Sequence, residues 1–285
     1  MEAKKMTKAE LGLLKELRKR KLSSKEIGFV LKGLVGVNSK KYTPQKIDFP
    51  DRHIRFGAFS DCHLGHSCYR PDVLRKMIKD GKRQGIEFWF NSGDTVEGMS
   101  GRDGHIYELD YLGASAQLGF FTSEFKRFRK TVYSIEAQNS HGGWFKSKGN
   151  MGLNIGEELE KRSRHYKFIG YDEQDILDNG LKVRLRHPGG GTAYALSYKI
   201  QKYVEAISGG QKPHMLLQGH FHKSIYLFYR NIHCFDAGCL CDQTPFMKKL
   251  GTPAHVGYWI IDVNMYRQKS KGVERVSSQF VPFYE

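Results

Sequence analysis

Carboxylate and imidazole side chains stand directly after the first strongly apolar segment of this sequence. Asp61 and His63 follow residues 53–59, a β-branched and aromatic run that predicts a strand. Their spacing of two residues would point both side chains to the same side of an extended chain. A carboxylate oxygen and an imidazole nitrogen that meet at one point are typical metal ligands. Such a pair alone is more often a hydrogen-bonded turn, so the interpretation depends on the rest of the chain.

Four further apolar runs also end in carboxylate, amide or imidazole side chains. In open α/β sheets the carboxyl ends of the strands form the edge at which ligands bind, so these side chains are expected to converge. Any one of them alone would more often be a hydrogen-bonded polar residue. Their recurrence after successive strands favours a shared metal site. The side chains that follow these four runs are Asp94, Asn139, His141, His187, His220 and His222.

Taken in order, these motifs resemble those of a known family. The motifs are Asp61-x-His63, Gly93-Asp94, Asn139, His187 and Gly219-His220-x-His222. They resemble the calcineurin-like metallophosphoesterase superfamily, and the resemblance covers roughly residues 51–285. It implies an α/β catalytic domain built as a four-layer α/β/β/α sandwich, in which helices flank two mixed sheets. It also implies a reaction class, the metal-dependent hydrolysis of phosphoesters.

The resemblance further implies a centre with two divalent metal ions. One ion would bind Asp61, His63, Asp94 and His222, and the other would bind Asp94, Asn139, His187 and His220. The bridging Asp94 would hold the ions about 3.5 to 4 Å apart, with a nucleophilic hydroxide between them. Mixed carboxylate, amide and imidazole ligands favour manganese, iron or zinc over calcium or magnesium, and manganese is the first choice.

The third motif departs from the family pattern. That pattern is Gly-Asn-His, in which the histidine donates a proton to the leaving group, whereas this chain has Gln138-Asn139-Ser140-His141. The glycine is absent and one extra residue separates the asparagine from the histidine. A Gly149-Asn150 pair lies further on, but no strand-like run precedes it and no histidine follows it. Asn139 is therefore the predicted ligand and His141 the predicted general acid, with an imidazole that the insertion would displace.

Positive charge is concentrated at the start of the chain. The 285 residues carry a formal net charge of +16, and residues 1–50 hold 13 Lys and Arg against five Asp and Glu. Two short helical patterns in this basic segment indicate a small all-α module that resembles part of a helix-turn-helix DNA-binding unit. A plain helical hairpin that packs on the catalytic domain is the alternative. The predicted domains are this module with its linker, residues 1–50, and the catalytic domain, residues 51–285.

The charge and the motifs together predict a metal-dependent phosphodiesterase, with a DNA nuclease as the first choice. Polyanions such as nucleic acid suit a surplus of basic residues, although that surplus can also merely keep a protein soluble. The alternatives are a phosphatase or phosphodiesterase for a small nucleotide, and a DNA-binding regulator whose phosphoesterase fold is only a scaffold. No apolar run approaches the ~18 residues of a membrane span. With no secretion signal and an odd number of cysteines, five, we expect a cytoplasmic protein with buried, inert thiols and no membrane partner.

Periodicity predicts further elements around the motifs. Helices are expected at residues 71–81, 107–130, 154–164 and 193–207, and a turn at residues 178–180. Strands are expected at residues 225–229, 232–235 and 258–263, where they should complete a second sheet. The basic end of the second helix, residues 126–130, could contact phosphates or complement the negative end of the helix.

Overall fold

The structure of this protein is a computed structural model that describes residues 45–47, 51–147, 152–178, 180–268 and 271–284. The predicted basic module of residues 1–50 lies outside the described residues apart from residues 45–47, and so does the Gly149-Asn150 pair. In the described part, no helix is long and apolar enough to cross a membrane.

Strands and helices alternate through much of the described chain, as in other α/β proteins. The strands are β1 (Gln45–Lys46), β2 (His53–Phe59), β3 (Trp89–Asn91), β4 (Val132–Glu136), β5 (Tyr166–Tyr171), β6 (Glu173–Asp178), β7 (Leu181–Arg186), β8 (Met215–Gln218), β9 (Ser224–Tyr229), β10 (Ile232–Ala237), β11 (Gly257–Met265) and β12 (Val273–Pro282). The helices are α1 (Pro71–Arg83), α2 (Gly113–Phe125), α3 (Trp144–Ser147), α4 (Ile155–Arg162), α5 (Tyr198–Ala206) and α6 (Pro245–Lys249).

The strands form two mixed sheets. In sheet I the order is β12-β11-β2-β3-β4-β5, and β2 to β5 run parallel while β11 and β12 are antiparallel. In sheet II the order is β1-β6-β7-β8-β10-β9, with β7, β8 and β10 parallel. The strands that precede the predicted ligands are therefore parallel neighbours within each sheet. Their carboxyl ends meet at a common edge, which is the arrangement that a shared site requires.

The two sheets pack face to face and helices cover both outer faces. Apolar side chains such as Phe56 and Phe90 of sheet I and Leu185 and Leu217 of sheet II form one buried cluster between the sheets. Outside sheet I, Phe121 of α2 lies 5.3 Å from Tyr166 of β5, between ring centroids. Outside sheet II, α5 contributes Ile200 and Val204 to a cluster with Leu216. The predicted four-layer α/β/β/α sandwich is confirmed.

Two of the predicted elements are wrong in ways that the structure explains. The long helix at residues 107–130 is instead a single 3-10 turn, His105–Glu108, followed by α2, because Leu112 is extended and Gly113 has a φ of 79°. The strand at residues 258–263 does not join the second sheet. It belongs to β11, which pairs antiparallel with β2 in sheet I. This pairing joins residues about 200 positions apart, and no local pattern in the sequence indicates it.

The basic residues at the end of α2 complement the helix terminus. Arg129 Nη1 donates to the carbonyl oxygen of Lys126 at 2.6 Å and to that of Phe128 at 3.1 Å. A cation in this position satisfies carbonyl groups that the helix leaves without partners. The run also precedes β4, so it lies at the sheet edge opposite to the predicted ligands. The contacts favour the structural interpretation of residues 126–130 over a role in phosphate binding.

A buried carboxyl group on β10 is expected to make stability depend on pH. Burial raises the pKa of Asp236 to about 8, although Gln218 Nε2 donates to its Oδ1 at 2.8 Å. Its usual value is 3.8, so its stabilising contribution is full below about pH 4 and is lost as the pH rises through about 8. Asp236→Asn cannot ionise, so the variant should not lose stability in this way as the pH rises. Thermal unfolding should show the Tm of the variant rising by several degrees relative to wild type between about pH 5 and about pH 8. A difference in Tm that is the same at both pH values would contradict this assignment.

Candidate metal centre

Backbone hydrogen bonds hold the loops that carry the predicted ligands against one another. The backbone N–H of Asp61 donates to the carbonyl oxygen of Gly93 at 3.0 Å, and that of His63 donates to the carbonyl oxygen of Asp94 at 3.1 Å. The loop after β8 joins them, because the backbone N–H of His220 donates to the Asp61 carboxylate at 2.9 Å. Three loops from both sheets therefore meet at one place.

Two glycines allow this close approach. A Cβ atom on Gly93 would lie 2.6 Å from Nδ1 of His187, and one on Gly219 would lie 2.1 Å from Oγ of Ser60. Gly93 also has a φ of +109°, which side chains rarely tolerate. The glycines before Asp94 and His220 are thus required by packing.

Six of the site residues adopt the left-handed backbone conformation. Such a conformation costs about 1 kcal/mol or more in a residue with a side chain, and it is concentrated at functional sites. The expected extended chain from Asp61 to His63 is therefore wrong, since β2 ends at Phe59 and both residues turn. Their side chains converge because of these turns and not because of strand alternation. The six residues, with φ between 42° and 82°, are Asp61, His63, Asp94, His141, His220 and His222.

Two groups of ligand atoms lie at the carboxyl edge of the sheets and share Asp94. Asp61, His63 and Asp94 form one group and Asp94, His187 and His220 the other, and within each group the ligand atoms lie within 4.8 Å of one another. His222 completes the first group, with Nε2 3.5 Å from Asp61 Oδ1. Six of the seven predicted metal ligands are thus brought together in the predicted pairing.

His187 shows why this cluster suits a cation. Its Nδ1 lies 2.7 Å from the carbonyl oxygen of Ser92, so in the neutral ring we assign the proton to Nδ1 and a lone pair to Nε2. That Nε2 lies 2.9 Å from Asp94 Oδ2, is buried, and makes no hydrogen bond to any described residue. A lone pair that faces a carboxylate oxygen is repelled unless a proton or a metal cation lies between them. The donor set therefore fits a bound metal ion.

The first group shows the same arrangement. His63 Nδ1 lies 2.7 Å from Glu97 Oε2, so its proton is assigned there and Nε2 keeps a lone pair. That Nε2 faces His222 Nε2 at 2.9 Å. A hydrogen bond between the two rings, or a cation bound to both nitrogens, accounts for this separation. Buried carboxylate and imidazole donors match the preferences of manganese, iron and zinc.

The charges in the cluster shift the pKa values of its members in opposite directions. Burial would raise the pKa of Asp94, but the neighbouring imidazoles of His187 and His141 hold it below its usual range. Burial would lower the pKa of His187, but the Asp94 carboxylate raises it to about 9. For His220, burial and the charge of His187 lower the pKa to about 4. Imidazoles must be neutral to bind metal, so His220 is ready to do so at neutral pH and His187 must release a proton.

The third motif places a serine hydroxyl, and not the asparagine, against the carboxylate of Asp94. The Ser140 hydroxyl donates to Asp94 Oδ1 at 3.2 Å. Asn139 is exposed, and its backbone carbonyl accepts a hydrogen bond from Trp144 Nε1 at 3.0 Å. The role of Asn139 as a ligand stays a prediction. The extra residue between Asn139 and His141 thus places a hydroxyl beside Asp94.

His141 lies above the centre and faces two carboxylates. Its Nδ1 is 3.2 Å from Glu97 Oε2 and its Nε2 is 3.6 Å from Asp94 Oδ2. The first distance is that of an ion pair, but its angles do not make a hydrogen bond. The His141 ring is one-quarter exposed, whereas the side chain of Asp94 is buried. His141 can therefore reach both the centre and a molecule that enters from solvent, despite the inserted residue.

Glu97 and His105 belong to this site although their sequence context gives little sign of it. Glu97 is buried and lies between three imidazoles, those of His63, His105 and His141. Burial would raise its pKa, but His141 and His63 hold it well below the usual range. His105 Nε2 lies 2.8 Å from Glu97 Oε1. The one feature of the sequence that points to Glu97 is its position as an acidic residue three positions after Asp94.

The five cysteines are free, and four of them are buried. Cys241 is close to the centre, with Sγ 3.7 Å from Nδ1 of the predicted ligand His222. Cys234 packs instead in the cluster beneath α5. The cysteines therefore do not form a separate cluster with His233, whose Nδ1 lies 2.8 Å from the hydroxyl of Tyr226.

A cavity of about 470 Å³ opens onto the centre. His63, His220 and His222 line it, together with His141 and Trp144. This volume is typical of a small-molecule site. The cluster is thus accessible to a ligand, as a catalytic centre must be.

No protein-family model matches this sequence, and no curated protein matches it. Among solved structures, a novel archaeal phosphodiesterase is similar at 13% identity and a TM-score of 0.44, over 80% of this chain and 100% of that one. YfcE, a phosphoesterase from E. coli, is similar at 14% identity and a TM-score of 0.41, over 79% and 98%. Vps29 from Entamoeba histolytica, complexed with zinc, is similar at 11% identity and a TM-score of 0.40, over 81% and 100%. These values are too low to bear on function, which rests on the geometry of the site.

Proposed function

We propose that this chain is a calcineurin-like metallophosphoesterase that hydrolyses phosphodiesters with two divalent metal ions. The observation that carries the proposal is the pair of ligand groups that share Asp94. One ion would be held by Asp61, His63, Asp94 and His222. The other would be held by Asp94, His187 and His220, with Asn139 as the further ligand predicted from the sequence.

The residues around the centre can perform the remaining chemistry. When bound, the ion pair supplies an activated water and neutralises charge on the phosphoryl oxygens. In the hydrolysis the water oxygen bonds to phosphorus, the bond from phosphorus to the leaving oxygen breaks, and that oxygen takes up a proton. We assign the donation of this proton to His141, whose Nδ1 lies 3.2 Å from Glu97 Oε2.

The substrate we favour is DNA. The net charge of +16 supports a polyanionic substrate. The cavity volume of about 470 Å³ supports the second candidate, a small nucleotide, because it would hold a molecule of that size. A regulator without activity is disfavoured by the buried ligand set, which has no need to converge in a scaffold. Manganese as the metal and a cytoplasmic location stay predictions.

Activity should depend on added metal. Protein treated with EDTA is expected to lose turnover of a bis-aryl phosphodiester by at least about 10³-fold, because cations stabilise the transition state by several kcal/mol. Manganese should restore it, and the diester should be turned over faster than the matching aryl monoester. Turnover that survives EDTA, or a preference for the monoester, would contradict the proposal.

The two substrate candidates differ in their dependence on salt. If DNA is the substrate, affinity for long DNA should fall steeply as salt increases, because bound phosphates release counterions. If a small nucleotide is the substrate, manganese-dependent turnover of cyclic nucleotides or dinucleotides should occur without affinity for DNA. The two measurements together separate the candidates.

A further inference from the structure

One side of the cavity is aromatic and apolar. Phe246, Met247 and Leu250, from α6 and the residue after it, line the cavity that also reaches the metal centre. Phe246 is 47% exposed and Leu250 is 59% exposed. Large apolar side chains that remain exposed beside a catalytic cavity indicate contact with a ligand.

An arginine lies across the Phe246 ring. The guanidinium carbon of Arg102 is 5.3 Å from the ring centroid, and Arg102 Nη2 donates to Glu108 Oε2 at 2.6 Å. This ion pair restrains the position of the guanidinium group. Arg102 thereby joins the glycine-rich loop after β3 to α6. A guanidinium held in this way can stack on a planar ring and attract a phosphate.

Trp144 supplies a second aromatic surface, close to the proton donor. Its ring lies 4.7 Å from that of His141, with an angle of 31° between the planes. Its Nε1 donates to the carbonyl oxygen of Asn139, which fixes the indole. Both Trp144 and Phe246 line the cavity that contains the metal ligands. A molecule bound at the centre would meet these rings.

The metal ligands are too deep to be reached from a flat surface. The side chains of Asp61, His63, Asp94, His187 and His222 are between 0% and 10% exposed. A scissile phosphate must therefore enter the cavity with its neighbouring groups. A nucleotide inside a duplex is held by its stacked and paired neighbours and resists this movement, whereas an unpaired or terminal one does not.

We propose that the aromatic subsite formed by Trp144, Phe246 and Arg102 binds the planar base of a nucleotide whose phosphate lies at the metal centre. The enzyme would then act on terminal or unpaired nucleotides rather than within intact duplexes. This inference rests on the proposed phosphodiesterase function and narrows its substrate. Stacking on aromatic side chains accepts any base, and the arginine adds a favourable charge.

The polar part of the lining favours a nucleotide over a lipid. Thr192, Thr244 and Thr252 line the same cavity, as does Ser100. Hydroxyl groups can form hydrogen bonds to a ribose or to the edge of a base. An acyl chain has no polar group with which these hydroxyls could form a further hydrogen bond.

The test compares two esters with the same leaving group. Thymidine 5′-(4-nitrophenyl phosphate) carries a base and methyl 4-nitrophenyl phosphate does not. With manganese present, kcat/KM for the thymidine ester should be about tenfold or more above that for the methyl ester. Phe246→Ala should lower kcat/KM for the thymidine ester about tenfold more than it lowers kcat/KM for the methyl ester. Retained manganese-dependent turnover of the methyl ester shows that the variant is folded and active.

Tyr107→Ala is the matched control, since Tyr107 is 91% exposed and does not line the cavity. This variant should have the same kcat/KM as wild type for both esters. Equal kcat/KM values for the two esters in wild-type protein would overturn the subsite but not the proposed function. No manganese-dependent release from either ester would overturn the proposed function itself.

Two further comparisons test the class of ligand. Hexyl 4-nitrophenyl phosphate should be a poorer substrate than the thymidine ester. Equal kcat/KM values for the two would show that the aromatic subsite binds alkyl chains as well as bases, and would overturn the inference. Single-stranded DNA should be cleaved at least about tenfold faster than covalently closed duplex DNA. Cleavage of both at the same rate would overturn the requirement for an unpaired nucleotide.

Discussion

Asp94→Asn is expected to abolish turnover of every phosphoester substrate. Asparagine keeps the shape of the side chain but removes the negative charge that both ligand groups share. Because catalytic cations stabilise the transition state by several kcal/mol, we expect kcat/KM to fall by at least about 10³-fold. Bound manganese, measured by elemental analysis after gel filtration, should fall in parallel.

A matched control separates this effect from a change in surface charge. Asp103→Asn makes the same substitution in the exposed loop after β3 and should keep both the metal content and the activity of the wild type. Circular dichroism should show that both variants are folded. An Asp94→Asn protein that bound two manganese ions per chain and worked at the wild-type rate would rule out a bridging role for this carboxylate.

His141→Ala is expected to slow the hydrolysis of different substrates by factors that depend on their leaving groups. A general acid contributes about 10² to 10⁴-fold when the leaving oxygen is basic. Cleavage between nucleotides releases an alkoxide that needs a proton, so it should slow by at least about 10²-fold. A 4-nitrophenyl ester releases a stable anion, and its rate should fall by less than about tenfold.

The ratio of these two losses is the diagnostic quantity. If His141 had only a structural role, His141→Ala would slow the hydrolysis of both esters by the same factor. Loss of metal would have the same effect. His165→Ala is the control, because His165 precedes β5 at the sheet edge opposite to the centre. It should change neither rate. Equal losses for the two esters in His141→Ala would remove His141 from the assigned role.

Local patterns predicted many of the individual strands, whereas the sandwich itself was implied by the family resemblance. The strand at residues 53–59 is β2 to the residue, and buried parallel strands such as β8 are marked by short continuous apolar runs. The mostly polar β12 gave no such signal, because an edge strand with an exposed pattern lacks it. The place of β11 in sheet I was also not predictable, since pairing between distant segments leaves no local periodicity.

The catalytic residues divide in the same way. The candidate metal ligands were indicated by residue types at the ends of strand-like runs, and the family resemblance implied how they divide between two ions. The Ser140 hydroxyl beside Asp94 and the carboxylate of Glu97 among three imidazoles appear only when the loops are folded together. Neither contact is encoded by spacing, because each joins loops from different strands.

By itself, the sequence determined the order of the strands that carry ligands and the chemical types of those ligands, because each strand and its terminal side chain are a local pattern. Only the tertiary structure decided how the ligands converge. The left-handed backbone at Asp61, His63 and Asp94 is imposed by hydrogen bonds between loops and by close packing at Gly93 and Gly219. The residues of the proposed aromatic subsite likewise come together only in the folded chain, since Trp144 and Phe246 are about 100 residues apart and line one cavity.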